Sequence, residues 1–141
     1  MKYDEIIATV QQLTGLPDRA AAARATAAVL QTLGERLPAG LATHVAAQLP
    51  PELATPVRET AHRAEEHGLA HASGERFSLT VFAGRVAARA GTSDDGGIRE
   101  SAAVLEVLDA ALAPELMDKI AAVLPHDIAE LLPSRRAAPA D

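Results

Sequence analysis

The chain has 141 residues, no cysteine, Tyr3, Phe77 and Phe82 as its aromatics, and a formal net charge of -6. Without thiols there is no thiol catalysis, zinc–thiolate site or disulfide framework, and so few aromatics leave almost no stacking platform for bases or sugars. No uncharged apolar stretch approaches the ~20 residues of a membrane span, and the opening MKYDEIIATV carries no signal-peptide pattern, so a cytoplasmic location away from membranes is expected.

The charge is unevenly placed. Residues 1–93 carry nine acids and nine bases, whereas residues 94–141 carry ten acids against Arg99, Lys119, Arg135 and Arg136. An acidic surface of this kind repels phosphate backbones and anionic membranes. Its simplest role is to keep the protein dispersed.

In chain order, Ile6, Ile7, Val10 and Leu13 form one apolar stripe of a first helix, which Gly15 ends and Pro17 stops. A second helix starts near Asp18 and runs to about Leu37, with Ala22, Thr26, Val29, Leu30, Leu33 and Leu37 on its stripe. Leu41, Val45 and Leu49 mark a third helix at four-residue steps, stopped by Pro50, which lacks an amide donor. Pro51-Glu52-Leu53 opens a short fourth helix, since proline suits a first turn. Residues 55–77 read as a polar connection whose start can prolong that helix and whose end is a linker, broken at Gly68 and Gly74.

The second half follows the same plan. Leu79, Phe82, Val86 and Ala90 make a stripe, and Thr92, Ser93, Asp94 and Asp95 offer caps before Ile98, Ala102, Leu105, Leu108 and Leu112. Leu116, Ile120, Val123 and Leu124 form the next helix, and Asp127 to Leu132 a short last one. Residues 134–141 read as a disordered tail. No segment alternates apolar and polar residues, so no strand is expected.

A shift of 75 positions aligns RATAAVLQTLGERLPAGLATHVAAQLP (24–50) with RESAAVLEVLDAALAPELMDKIAAVLP (99–125). Twelve of these 27 positions are identical: Arg24/Arg99, Ala27/Ala102, Ala28/Ala103, Val29/Val104, Leu30/Leu105, Leu33/Leu108, Leu37/Leu112, Leu41/Leu116, Ala46/Ala121, Ala47/Ala122, Leu49/Leu124 and Pro50/Pro125. Upstream the shift becomes 76, pairing Tyr3 with Leu79, Ile6 with Phe82, Val10 with Val86 and Gly15 with Gly91, so the second copy has a loop one residue shorter. The expected fold is therefore all-α: a unit of about four helices written twice, forming one bundle with a pseudo-twofold relation. Residues 1–54 and 78–133 are the two repeats of one globular domain.

The opening MKYDEIIATVQQLTGL, the helix RATAAVLQTLGERL and the closure AAQLPPEL, with FAGRVAARAG and AAVLPHDIAELL in the second copy, resemble the DUF2267 family of small bacterial proteins. The resemblance covers nearly the whole chain outside the middle segment and the tail. It implies an all-helical fold with two similar halves, and it implies no established activity and no catalytic or binding residues. The chain departs from the family pattern in its polar middle and at Pro38-Ala39-Gly40-Leu41, where a glycine–glutamate pair is often seen.

Candidate chemistry is sparse. His62, His67 and His71 cluster in the connection, and His67 and His71 stand at the i, i+4 spacing of zinc ligands, with Glu65 and Glu66 nearby. Gly68 weakens that helix, and the H-E-x-x-H order is absent, so a solvated polar segment competes with a metal site. His44 in the third helix matches Lys119, and His126 follows Pro125; neither has a partner in sequence. No serine lies in a G-x-S-x-G elbow, and no phosphate loop is present. Asp94-Asp95-Gly96-Gly97 resembles a fragment of a calcium loop but lacks its alternating ligands, and fits helix capping better. Arg24 and Arg99 hold matching places, either as a pair binding an anion between the halves or as side chains paired with Asp18 or Asp95 or lying over the core.

Four functions compete. A non-catalytic interaction module, engaging a protein partner or a second copy, fits a duplicated helical unit best. A small-ligand carrier with a pocket between the repeats is the alternative. An enzyme needs a nucleophile, base and orienter, which cannot be named together, and no cofactor is implied. A nucleic-acid binder needs clustered bases, and residues 41–50 contain no lysine or arginine.

Overall fold

The computed structural model of the protein describes residues 1–66 and 78–132. They form eight α-helices and no strand: α1 (Tyr3–Thr14), α2 (Arg19–Arg36), α3 (Ala39–Ala47), α4 (Pro51–Glu66), α5 (Leu79–Ala90), α6 (Asp94–Ala111), α7 (Pro114–Val123) and α8 (His126–Ala129).

The breaks between helices follow from backbone chemistry. Gly15 and Gly91 close α1 and α5 with φ of 73° and 74°, a left-handed conformation that glycine adopts without a Cβ penalty. Asp18 caps α2 by accepting from the Ala21 amide at 2.8 Å, and Ser93 caps α6 by accepting from the Gly96 amide at 3.1 Å. Both α2 and α6 span 18 residues and end in an extended leucine, Leu37 and Leu112. The start of α5 is tied down from elsewhere: the Leu79 amide donates to Asp127 Oδ2, 2.9 Å away at the start of α8. Arg19 forms an exposed ion pair with Asp4, joining the first turns of α2 and α1.

The core is aliphatic, as so few aromatics require. Ile6, Ile7, Val10, Val29, Leu30, Leu33, Val45, Val57, Phe82, Val86, Leu105, Leu108 and Ile120 lie in one buried cluster with residues from every helix. Burial of these side chains is the main favourable contribution to folding, at about 1.5–3 kcal/mol for each large one. Within the halves, α1 packs on α2, α5 on α6, and α4 on α2 and α3. Between the halves, α1 packs on α6, α5 on α2, α2 on α6 and α3 on α7.

Three sequence expectations need correction. Leu13 and Ile98 were expected to face inward but are exposed, at 44% and 39%. Their places inside are taken by Thr14, whose hydroxyl donates to the Val10 carbonyl at 2.7 Å, and by Gly97, Glu100 and Ser101. A hydroxyl that bonds the preceding turn has no unmet hydrogen bond and can be buried. Third, α4 is not short. Residues 55–66, read as the start of a polar connection that can prolong the helix, do prolong it, to 16 residues in all. Leu53, Val57, Thr60 and Ala61 supply the buried stripe at i, i+4, i+7 and i+8, so the helix persists despite Pro56 in its second turn. The tail read over residues 134–141 lies outside the described residues.

Candidate functional site

The seam between the halves carries an ion-paired cluster that links α5 to α2. On α5, Arg85 and Arg89 stand one turn apart and face Glu35 of α2. Arg89 Nη2 lies 2.8 Å from Glu35 Oε2, and Arg85 Nη1 lies 3.6 Å from Oε1. Arg89 Nη1 also donates to Thr32 Oγ1 at 2.8 Å, and the Thr32 hydroxyl donates onward to the Ala28 carbonyl. Thr32 is fully buried and Glu35 is half-buried, while Arg85 and Arg89 reach in from the exposed side of α5. It ties α5 to α2.

A second buried polar group is Glu100 on α6, with 2% exposure. The Thr92 hydroxyl donates to its Oε1 at 3.2 Å. Burial pushes the Glu100 carboxyl above the ordinary carboxylate range, against the opposing pull of the Thr92 hydrogen bond and of Arg99. No sequence signal marks this residue. It follows Arg99 on a helix whose expected stripe ran through Ile98 and Ala102.

Among the depressions on the surface are three lined by described residues. One, of about 450 Å³, lies between α7 and α8 and is lined by Asp118, Ala121, Ala122, His126, Ala129 and Glu130. On its rim His126 Nε2 lies 2.9 Å from Glu130 Oε1. Another, of about 310 Å³, lies between α3 and α4 and is lined by Ala39, Ala42, Thr43, Arg58, Ala61 and His62. The third, of about 280 Å³, sits where α3 meets α7, among His44, Ala47, Gln48, Ala113, Glu115, Leu116 and Lys119. There Gln48 Oε1 accepts from the Ala113 amide at 2.8 Å, bridging the end of α3 to the start of α7.

The residues singled out on sequence fall in different places. Arg24 on α2 and Arg99 on α6 are both exposed. His62 lines the α3–α4 depression, and His67 and His71 lie outside the described residues. Among the described residues, no group of three His, Cys, Asp or Glu side chains is placed to hold a metal ion. Ser93 is a helix cap, and Ser101 donates to the Gly97 carbonyl at 2.7 Å. Sequence reasoning missed the depressions because alanine, which makes their floors, reads as helix propensity rather than as surface shape. His44 and Lys119, paired by the 75-residue shift, do meet at one depression.

Among the described residues no helix is long and apolar enough to cross a membrane. No curated protein sequence matches the chain. A family model described as an uncharacterized conserved protein, DUF2267, matches residues 3–131, and the chain belongs to that family.

Proposed function

We propose that this protein is a non-catalytic helical interaction module, built from one duplicated unit and engaging a protein partner or a second copy of itself. The observation that carries this reading is the form of the surface. The depressions between the third and fourth helix of each half have alanine floors and charged rims, and their rim residues are exposed. Small side chains let a neighbouring backbone approach closely, which suits a helix better than an enclosed small molecule.

The duplication is supported by the helix boundaries as well as by the aligned residues. Helices α2 and α6 are offset by 75 residues at both ends, and α1 and α5 by 76. The packing between halves supports a pseudo-twofold relation. Exchanging the halves turns the α1–α6 contact into the α5–α2 contact and maps the α2–α6 and α3–α7 contacts onto themselves. The non-catalytic reading draws support from the polar groups already accounted for. Glu35, Arg89 and Thr32 bind one another across the seam, and Ser93 and Ser101 serve their own helix.

The test is a mass measurement in solution combined with affinity capture from the source cells. A discrete dimer, or a reproducible stoichiometric partner, is expected. A strict monomer that captures nothing overturns the reading.

A second reading, a small-ligand-binding protein, is favoured by one feature. The α3–α7 depression lies between the halves and gathers His44, Gln48, Glu115 and Lys119. Such convergent polar groups are what a ligand site requires. A ligand there would raise the melting temperature in a saturable way, and Lys119→Met would abolish the rise.

A further inference from the structure

The groove between α7 and α8 is lined by Ala121, Ala122 and Ala129 and by exposed Asp118, His126 and Glu130, and among the described residues no lysine or arginine lines it. Lys119, the one base on α7, lines the α3–α7 depression instead. The groove lies in the part of the chain that holds the whole acidic excess. The α3–α4 depression has the opposite character: alanines with Arg58 and His62, and no acid among the described residues.

This combination selects an occupant. Three alanines let a neighbouring backbone approach closely, small residues on the seated face complete that approach, and a helix is the element that presents such a face with few unmet backbone bonds. The carboxylates repel acidic segments, nucleic acid and anionic membranes, and attract lysine and arginine. A second copy presenting the same groove would set acid against acid, because a twofold contact is self-complementary. The pairing of His126 with Glu130 is exposed on both sides, so an incoming cation can replace it.

We infer that the α7–α8 groove docks a helical segment of a partner protein, with small residues on the seated face and lysine or arginine along its flanks. The inference rests on the interaction-module reading and names its surface and the chemistry of its partner.

The test is an NMR titration of the isotope-labelled full-length protein. The probe is a synthetic helical peptide with an alanine face flanked by lysine and arginine, and the control has every base replaced by glutamate. Saturable shifts confined to residues 114–130 are expected, weakening as salt screens the charges. The acidic control, and a Asp118→Lys/Glu130→Lys variant that keeps its native circular dichroism and melting temperature, should each bind at least about tenfold more weakly. No saturable shift at millimolar peptide, equal shifts with both peptides, or unchanged binding by the variant overturns the inference. Shifts at the α3–α7 seam instead sink this groove but leave the interaction-module reading standing. A dimer formed without peptide and lost in the variant assigns the groove to a second copy and likewise overturns it.

Discussion

The two halves of the molecule share their breaks and differ in their contacts. Gly15 and Gly91, Asp18 and Ser93, Leu37 and Leu112, and Pro50 and Pro125 stand at matching ends of matching helices. The contacts between those ends diverge. Buried Ala25 of the first half corresponds to buried Glu100 of the second. Close approach is made through Gly34 against α4 in the first half and through Gly97 against α5 in the second. The α5–α2 seam holds the Glu35–Arg89 pair, whereas at the matching positions of the α1–α6 seam stand Ala110 and an exposed Leu13. The fourth helix has 16 residues in the first half and 4 in the second. Matching helix breaks thus go with two sets of packing chemistry, because backbone termination sets helix length while side chains decide how near two helices come.

The largest expected effect comes from forcing the first half to imitate the second. Ala25 is 1% exposed, and Leu16 and Pro17 stand where Thr92 offers Glu100 its hydroxyl. Ala25→Glu should therefore bury a carboxylate with no donor and reduce stability by about 3 kcal/mol or more, measured by urea denaturation. A loss under 1 kcal/mol would mean that the two positions are not equivalent in burial.

Next come the glycines. A Cβ at Gly97 would overlap the Ala83 carbonyl oxygen, and one at Gly34 would meet Thr60 Oγ1 and come within 2.8 Å of the Val57 carbonyl. Each Gly→Ala change should destabilise by about 1–3 kcal/mol, because a backbone carbonyl cannot turn aside. Gly84, in the middle of α5, has nothing within 4 Å of its missing Cβ. Gly84→Ala should stabilise by about 0.5–1 kcal/mol, and the opposite signs of these changes are the test of the helix spacings.

Glu100 gives the second half a pH dependence that Ala25 cannot give the first. Its folded-state pKa is raised by burial, so between the ordinary carboxylate pKa and the raised one the folded state holds more protons than the unfolded. Stability must then fall as pH rises through that window. Glu100→Gln keeps an acceptor for Thr92 and should stabilise the protein by on the order of 1 kcal/mol at neutral pH. The advantage should vanish below the ordinary carboxylate pKa. A gain that is the same at every pH would contradict the assignment.

The smallest effects should be the most alike. Asp18→Ala and Ser93→Ala each remove a cap from an 18-residue helix, and each should reduce stability by about 1 kcal/mol. Melting curves for the pair should shift together.

Much of the frame was legible in the sequence, because glycine, proline and capping residues carry their conformational reasons locally. The boundaries of α1, α2 and α6 fall within a residue or two of where Gly15, Asp18 and Ser93 put them. Facing was less legible. Leu13 and Ile98 were placed inward as apolar residues at helical spacing, yet Thr14 satisfies its hydroxyl within its own helix and takes the inner position beside Leu13. The Glu35–Arg89 pair and the Leu79–Asp127 cap join residues far apart in the chain, and no local pattern announces them. The grooves were least legible of all, since Ala121, Ala122 and Ala129 act there through their lack of bulk.

The central claim, that the halves are one unit packed crosswise on itself, can be read directly from two spin-label distances. Glu5 on α1 and Arg99 on α6 form one exposed pair, and Val81 on α5 and Arg24 on α2 form the matching pair under the 76- and 75-residue shifts. Electron–electron distance measurements should give the same separation for both pairs. A difference approaching a helix diameter, about 10 Å, would contradict the account.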